Sequence, residues 1–80
     1  MLFGKKDNLV GLDIGSRTIK AAEITDKGAG RSLRRFGMAD ISPGLIEDGA
    51  ISEPEEVAEA IRGLYKSYGI REKNVALSIG

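Results

Sequence analysis

The chain has neither cysteine nor histidine among its 80 residues, and this absence constrains its fold more than any other feature. A chain of this length buries only about 60–65% of the surface that its unfolded form exposes, so its stability margin is narrow. Small domains often add disulfides or a bound metal, but this chain lacks the residues for a disulfide or a soft-metal site. A packed apolar core must therefore stabilise it. Catalysis by a cysteine nucleophile or a histidine base is excluded as well.

The charged residues balance overall but are unevenly distributed. Residues 1–35 hold eight basic and four acidic groups, whereas residues 36–80 hold four basic and eight acidic groups. The basic stretch at residues 31–35 could contact phosphates. No aromatic residues interleave with its cations, so we interpret it as a solvated turn beside a strand and expect no nucleic-acid binding.

The chain shows no signal for a membrane span or for export. No apolar run approaches the roughly 18 residues that a membrane-spanning helix needs. Residues 1–6 combine two apolar residues with two lysines and are not followed by the long apolar region of a secretory signal. We therefore expect a cytoplasmic location.

The first half of the chain has the pattern of three strands. Residues 9–14 form an almost unbroken apolar run, which predicts a strand covered on both faces. Residues 18–24 are rich in β-branched residues and read as a second strand, and residues 32–41 predict a third strand that Gly37 interrupts. The three strands are expected to form an antiparallel meander.

The second half predicts a helix followed by a strand. Ser52 begins a capping-box spacing with a proline in the first turn, and Gly69 is placed to end the helix. Apolar residues recur in between at helical spacing, at Val57, Ile61, Leu64 and Tyr68. Residues 74–79 predict a fourth strand, parallel to an earlier one, so the fold class is α/β.

Two features of this pattern favour a partial domain. One helix covers one face of a sheet, whereas the first strand has the composition of a strand buried on both faces. The predicted last strand also has no capping element after it. We therefore expect residues 1–8 to form an N-terminal tail and residues 9–80 to form part of a larger, truncated subdomain.

Chemistry is concentrated where the first strand turns into the second. Asp13 lies near the strand end, Gly15 and Ser16 supply the turn, and Lys20 lies on the returning strand. Backbone N–H groups and a serine hydroxyl can donate to phosphate oxygens, glycine permits close approach, and one carboxylate can hold Mg²⁺ through its waters. The alternative is an ordinary hairpin turn in which Asp13 bonds the turn backbone. Asp40, Glu47 and Asp48 are interpreted as solvated loop acids rather than catalytic groups.

The motif Leu-Asp-Ile-Gly-Ser at residues 12–16, followed by Lys20, resembles the first phosphate motif of the actin-like ATPase superfamily. The whole chain, from its opening residues through 45–51 to 75–80, resembles the N-terminal quarter of the PilM family of type IV pilus assembly proteins. This resemblance implies the opening β-β-β-α-β part of an actin-like (ribonuclease H-like) nucleotide-binding subdomain.

The resemblance also assigns roles and partners. It implies Mg²⁺ coordination by Asp13, phosphate contacts by Gly15, Ser16 and Lys20, and ATP with Mg²⁺ as the ligands of the full-length protein. Arg17 belongs to the same turn and is expected among the cofactor-binding residues, although it stands where actin has a glycine, so this turn departs from the pattern there. The implied partners are the cytoplasmic tail of a PilN-like inner-membrane protein and other pilus assembly proteins, with peripheral placement at the inner membrane through them. ATP hydrolysis is left open, and the 80 residues alone are not expected to be an ATPase.

Two alternatives stay open from the sequence. Within the same superfamily, the chain could belong to an FtsA-like cell-division protein or to a sugar kinase. In another class, it could be a small scaffold domain without any nucleotide role.

Overall fold

The computed structural model describes residues 7–26 and 30–80 of the chain. Strand β1 begins at Asp7, so residues 7 and 8 of the expected tail pair within the sheet, while residues 1–6 lie outside the described ranges. The elements, in chain order, are β1 (Asp7–Ile14), β2 (Thr18–Asp26), β3 (Arg31–Asp40), β4 (Ile46–Glu47), β5 (Ala50–Ile51), α1 (Pro54–Tyr68) and β6 (Val75–Ile79).

The main sheet has the strand order β3-β2-β1-β6. Strands β1, β2 and β3 form an antiparallel meander, and β6 pairs in parallel with β1 after the crossover through α1. The predicted α/β class is therefore confirmed, and so is the β-β-β-α-β order of the main sheet and its helix. The arrangement is compatible with part of an actin-like subdomain.

Helix α1 packs on one face of this sheet because alternate residues of the strands present apolar side chains to it. In β1 and β2 these residues occupy directly opposite positions, with Leu12 facing Ala21 and Ile14 facing Ile19. The predicted helical stripe is confirmed as core at Val57 and Leu64. The largest fully buried side chains of the core are Ile14, Ile19, Val10 and Val57.

The opposite face of the sheet is not covered by any of the described residues. Strand β1 was expected to be buried on both faces, and this expectation holds on the helix side only. Asp13 is exposed on the other face. Phe36 and Met38 of β3 point to the same side and are exposed by 51% and 45%. We refer to it below as the open face.

Gly37 does not interrupt β3, contrary to the sequence prediction, because the strand runs without a break from Arg31 to Asp40. The packing of α1 on this strand explains instead why residue 37 is a glycine. A Cβ atom built on Gly37 would lie 2.6 Å from Cγ of Tyr68, which is closer than real Cβ contacts. The missing side chain therefore lets the Tyr68 ring at the end of α1 pack on β3.

A β-bulge interrupts the pairing of β2 with β3. Glu23 faces Arg35 while the next residue, Ile24, faces Leu33, so Arg34 is the additional residue. Residues 31–35 were interpreted as a solvated turn, although a strand was also predicted from residue 32. The strand prediction is confirmed and the turn interpretation is wrong, because residues 31–35 form the first half of β3. The pairing of β3 with β2 makes these residues a strand, and this pairing cannot be seen from the five residues alone.

The segment before α1 forms a small hairpin of β4 and β5. Ile46 faces Ile51 and Glu47 faces Ala50, which leaves Asp48 and Gly49 as a two-residue loop. Both loop residues have positive φ, 52° and 73°, as a type I′ turn requires. Leu45, just before the hairpin, and Ile46, its first residue, are both buried in the core.

The prediction for α1 is wrong at the start of the helix and correct at its end. The predicted capping role of Ser52 is wrong: the helix begins one residue later, after Glu53, without a side-chain cap. The Ser52 hydroxyl donates instead to Glu47 Oε1 at 3.2 Å. The predicted end is confirmed, because Gly69 adopts the left-handed conformation at φ 69° and its N–H bonds the last turn.

Candidate functional site

The turn between β1 and β2 is bonded to the sheet on both sides. Within the turn, the N–H of Gly15 donates to the carbonyl of Thr18 at 2.8 Å. The N–H of Ile41, just after β3, donates to the carbonyl of Arg17 at 2.8 Å. The N–H of Gly80, just after β6, donates to the carbonyl of Ile14 at 3.1 Å. The turn is thus positioned by strands on either side of its own hairpin.

Gly15 meets a spatial requirement of this turn. Its φ does not lie in the left-handed region, unlike that of Gly44, Gly49 and Gly69. A Cβ atom at Gly15 would lie 3.3 Å from the carbonyl oxygen of Thr18, which is tighter than nine in ten real Cβ contacts. The glycine therefore allows the chain to reverse closely enough for the bond between Gly15 and Thr18.

The tip of the turn presents unused donors to solvent. Ser16 and Arg17 are both exposed. Within the part of the chain that the structure describes, their backbone N–H groups and the Ser16 hydroxyl have no protein acceptor. Adjacent N–H groups at a tight turn, together with a hydroxyl and a guanidinium, can bind the oxygens of an anion.

Asp13 and Lys20 lie directly opposite each other on β1 and β2. Both are exposed, and both lie on the open face. Opposed residues of an antiparallel pair have Cβ atoms about 4.5–5.5 Å apart, so a carboxylate and an ammonium group share one small region here. No ion pair joins the two among residues 7–26 and 30–80. Both charges are therefore free to interact with a ligand.

Ser78 extends this arrangement by one strand. It is the register partner of Asp13 on β6, so a hydroxyl, a carboxylate and an ammonium group follow one another across the open face. Ser78 was not among the residues predicted for the site. Parallel pairing of the last strand was predicted, but its register, which alone places Ser78 beside Asp13, was not.

The described carboxylates at this end of the molecule do not form a metal site made of protein ligands alone. Among the described residues no group of three or more acidic side chains could hold a metal ion. Asp13 by itself fits Mg²⁺, which keeps several waters and takes few protein carboxylates when phosphate oxygens complete its shell. The five residues that the sequence analysis selected are thus brought together along one strand end and one turn: Asp13, Gly15, Ser16, Arg17 and Lys20.

The three acids that were interpreted as solvated loop residues lie in different settings. Asp40 is exposed but ends β3, opposite Thr18, so its assignment to a loop was wrong. Asp48 occupies the turn of the small hairpin, and Glu47 accepts the Ser52 hydroxyl. Neither of these two lies on the main sheet.

The fold and the site together define an α/β protein with a four-stranded sheet that presents a tightly bonded, donor-rich turn at the end of its first strand. The sequence model of the family described as Type IV pilus assembly protein PilM matches residues 11–80. The chain therefore belongs to the PilM family, and its role lies in type IV pilus assembly. No curated protein matches the chain.

Helix α1 has 15 residues, and no helix in the described part of the chain is long and apolar enough to span a bilayer.

Proposed function

We propose that the turn between β1 and β2 contacts the phosphates of ATP and that Asp13 holds the accompanying Mg²⁺ through its waters. The observation that carries the proposal is the position of Asp13 opposite Lys20, beside a turn whose outer N–H groups are unused. The resemblance to the actin-like phosphate motif supports the same assignment. The protein's contribution to pilus assembly is then a nucleotide-dependent conformation.

Each residue has a chemical role in this proposal. Lys20 provides a compact positive charge to a phosphate, and the N–H groups of Ser16 and Arg17 donate to its oxygens. Gly15 keeps the turn tight enough to present them. Asp13 orients the hydrated Mg²⁺, which neutralises phosphate charge when bound. No residue is assigned to hydrolysis.

We further propose a cytoplasmic protein that binds the cytoplasmic tail of a PilN-like inner-membrane protein and is held at the inner membrane by its partners. Membership of the PilM family supports partners in pilus assembly in general, and the resemblance supports the PilN-like tail. A fluorescent peptide with the sequence of such a tail tests this by anisotropy. Saturable binding, absent for a scrambled peptide, is expected, and equal binding of both peptides contradicts the assignment.

The nucleotide proposal is tested by titrating the ¹⁵N-labelled chain with ATP and Mg²⁺ and following its amide resonances. We expect saturable shifts at residues 15–18, with weak affinity because a single phosphate-contacting turn provides few of the contacts that ATP needs. Sub-micromolar affinity would contradict the view that this turn is only one part of a larger site.

Two matched variants sharpen this titration. Lys20→Gln should raise the dissociation constant obtained from the shifts at residues 15–18 about tenfold, because one charge-assisted contact is lost. Lys66→Gln removes an exposed lysine from the last turn of α1 and should leave them unchanged. Equal effects of the two variants, or no shifts at the turn, would exclude the proposed phosphate contact.

A further inference from the structure

A polar pocket lies at the other end of the sheet from the turn. Its volume is about 550 Å³, and it opens between the start of β1, the bulged part of β2 and β3, and the segment after α1. Three arginines and two glutamates are among its lining residues: Arg34, Arg35, Arg71, Glu23 and Glu72. Asn8, which also lines it, precedes Gly15 by seven residues of nearly continuous strand, about 20 Å.

The bulge explains why two consecutive arginines reach the same pocket. Neighbouring residues of a regular strand point to opposite faces of the sheet. Because Arg34 is the additional residue of the bulge, this alternation is interrupted, and both Arg34 and Arg35 line the pocket. Bulges redirect side chains in this way next to binding sites more often than elsewhere.

Both carboxylates of the pocket already have partners. Glu23 is buried, and its Oε1 accepts a hydrogen bond from Nη1 of Arg35 at 3.1 Å. Glu72 Oε2 accepts the backbone N–H groups of Lys73 and Asn74, each at 3.0 Å. Neither carboxylate binds the remaining two arginines.

Arg34 and Arg71 therefore keep their guanidinium groups free. Neither has a hydrogen-bond or ion-pair partner in the described ranges, 7–26 and 30–80. Gly69 forms part of the wall beside them and has no side chain to occupy the space. The pocket thus combines satisfied acids with two available guanidinium groups.

We propose that this pocket is a second anion site, which binds a phosphate group through Arg34 and Arg71. A guanidinium group donates two parallel hydrogen bonds to a phosphate, and two such groups match a phosphate monoester dianion better than they match a single carboxylate. Arg35, which is bonded to Glu23, completes the wall and holds the bulge in place. This site is separate from the turn proposed to contact ATP, and neither proposal depends on the other.

Titration of the ¹⁵N-labelled chain with inorganic phosphate, at constant ionic strength set by sodium chloride, tests the site. We expect saturable amide shifts at residues 34–35 and 69–71. The double variant Arg34→Gln/Arg71→Gln should weaken this binding by about tenfold or more, as expected for lost charge-assisted contacts. Both residues are exposed, so the variant should keep the fold. Arg62→Gln, which removes an exposed arginine of α1, is the matched control and should bind phosphate like the parent chain.

A second arm identifies the source of the phosphate. The parent chain and the double variant are sedimented with phosphatidylcholine vesicles that either contain or lack phosphatidic acid. Binding that needs phosphatidic acid and is lost in the double variant assigns a lipid headgroup, whereas phosphate binding without vesicle binding assigns a soluble phosphate compound. The proposal is overturned if the shifts concentrate at residues 15–18, if the double variant binds like the parent, or if neither probe binds.

Discussion

Two acid–base pairs lie directly across neighbouring strands of the same sheet, in opposite environments. Asp13 faces Lys20 across β1 and β2, and Glu23 faces Arg35 across β2 and β3. The first pair lies exposed on the open face, and its charges do not meet. In the second pair Glu23 is only 4% exposed, and the two side chains are joined at 3.1 Å.

The difference shows what burial requires of a charged side chain. A carboxylate removed from water loses its hydration, so it is stable only with a charged or hydrogen-bonding partner. An exposed pair gains little from closing, because water screens the attraction and holding two long side chains costs entropy. The buried pair therefore belongs to the structure, and the exposed pair is available for a ligand.

The largest effect is expected from breaking the buried pair. Arg35→Ala leaves Glu23 without its cation and should lower the free energy of unfolding by about 2–3 kcal/mol, less than for a fully buried pair because Arg35 is partly exposed. Urea denaturation followed by circular dichroism measures the loss.

A double variant provides the control for this loss. Glu23→Met/Arg35→Leu removes both charges and should recover most of the lost stability, because a buried ion pair contributes little beyond an apolar pair of similar size. A loss below about 0.5 kcal/mol for Arg35→Ala, typical of exposed pairs, would erase the contrast between the two pairs.

The next largest effect should distinguish the two faces of the sheet. Gly37→Ala places a methyl group against the Tyr68 ring and should cost about 1–3 kcal/mol through overpacking. Gly11→Ala is the matched change on β1, where a Cβ atom would meet only the Ala22 carbonyl oxygen at 4.0 Å. It should be tolerated in the same denaturation measurement. Equal costs at both glycines would contradict the packing of Tyr68 on Gly37.

A smaller effect is expected from neutralising the exposed pair. Asp13→Asn and Lys20→Gln should each change the free energy of unfolding by less than about 0.5 kcal/mol, as for most exposed charges. Both variants should nevertheless weaken the response of residues 15–18 to ATP with Mg²⁺. If either variant unfolds the chain, the pair is structural, and the two pairs do not differ as described.

The smallest effect concerns Tyr65, which lies near the buried pair. Burial, and then the charges of Glu23 and Glu72, raise the pKa of Tyr65 above its ordinary 10.0. The unfolded chain therefore releases this proton at lower pH than the folded chain, so stability is unaffected below pH 10 and falls as the pH rises through the folded pKa. The free energy of unfolding is measured from one pH unit below to one pH unit above 10.0, and over this range it should fall less for Tyr65→Phe than for the parent chain. Identical losses would exclude this contribution.

The elements with strong local patterns could be predicted from the sequence. An apolar run and a segment rich in β-branched residues located the first two strands of the meander, and Gly69 marked the helix end. The hairpin of β4 and β5 was missed although Asp48 and Gly49, a strong turn pair, separate its short strands. The predicted start of α1 was wrong because the Ser52 hydroxyl donates to Glu47 rather than capping the helix backbone. The spacing of residues in the sequence does not reveal this competing acceptor.

The candidate site was partly predictable for a similar reason. Asp13 and Lys20 flank a short turn, so their approach follows from a hairpin of that length. The position of Ser78 depends on a register between residues distant in sequence. The bulge at Arg34 likewise depends on how two whole strands align. Pairings of this kind arise from the packing of the complete sheet, which no short motif encodes.

The bond from Gly80 to Ile14 has a consequence for the order of folding. The two residues are 80 − 14 = 66 positions apart, whereas the turn itself closes between Gly15 and Thr18. Contacts between distant positions form late, because a long loop must close before they contribute. The turn should therefore appear early as a loosely held hairpin and become rigid only when β6 docks, so the rate of that docking limits how soon a newly made chain can present an ordered turn.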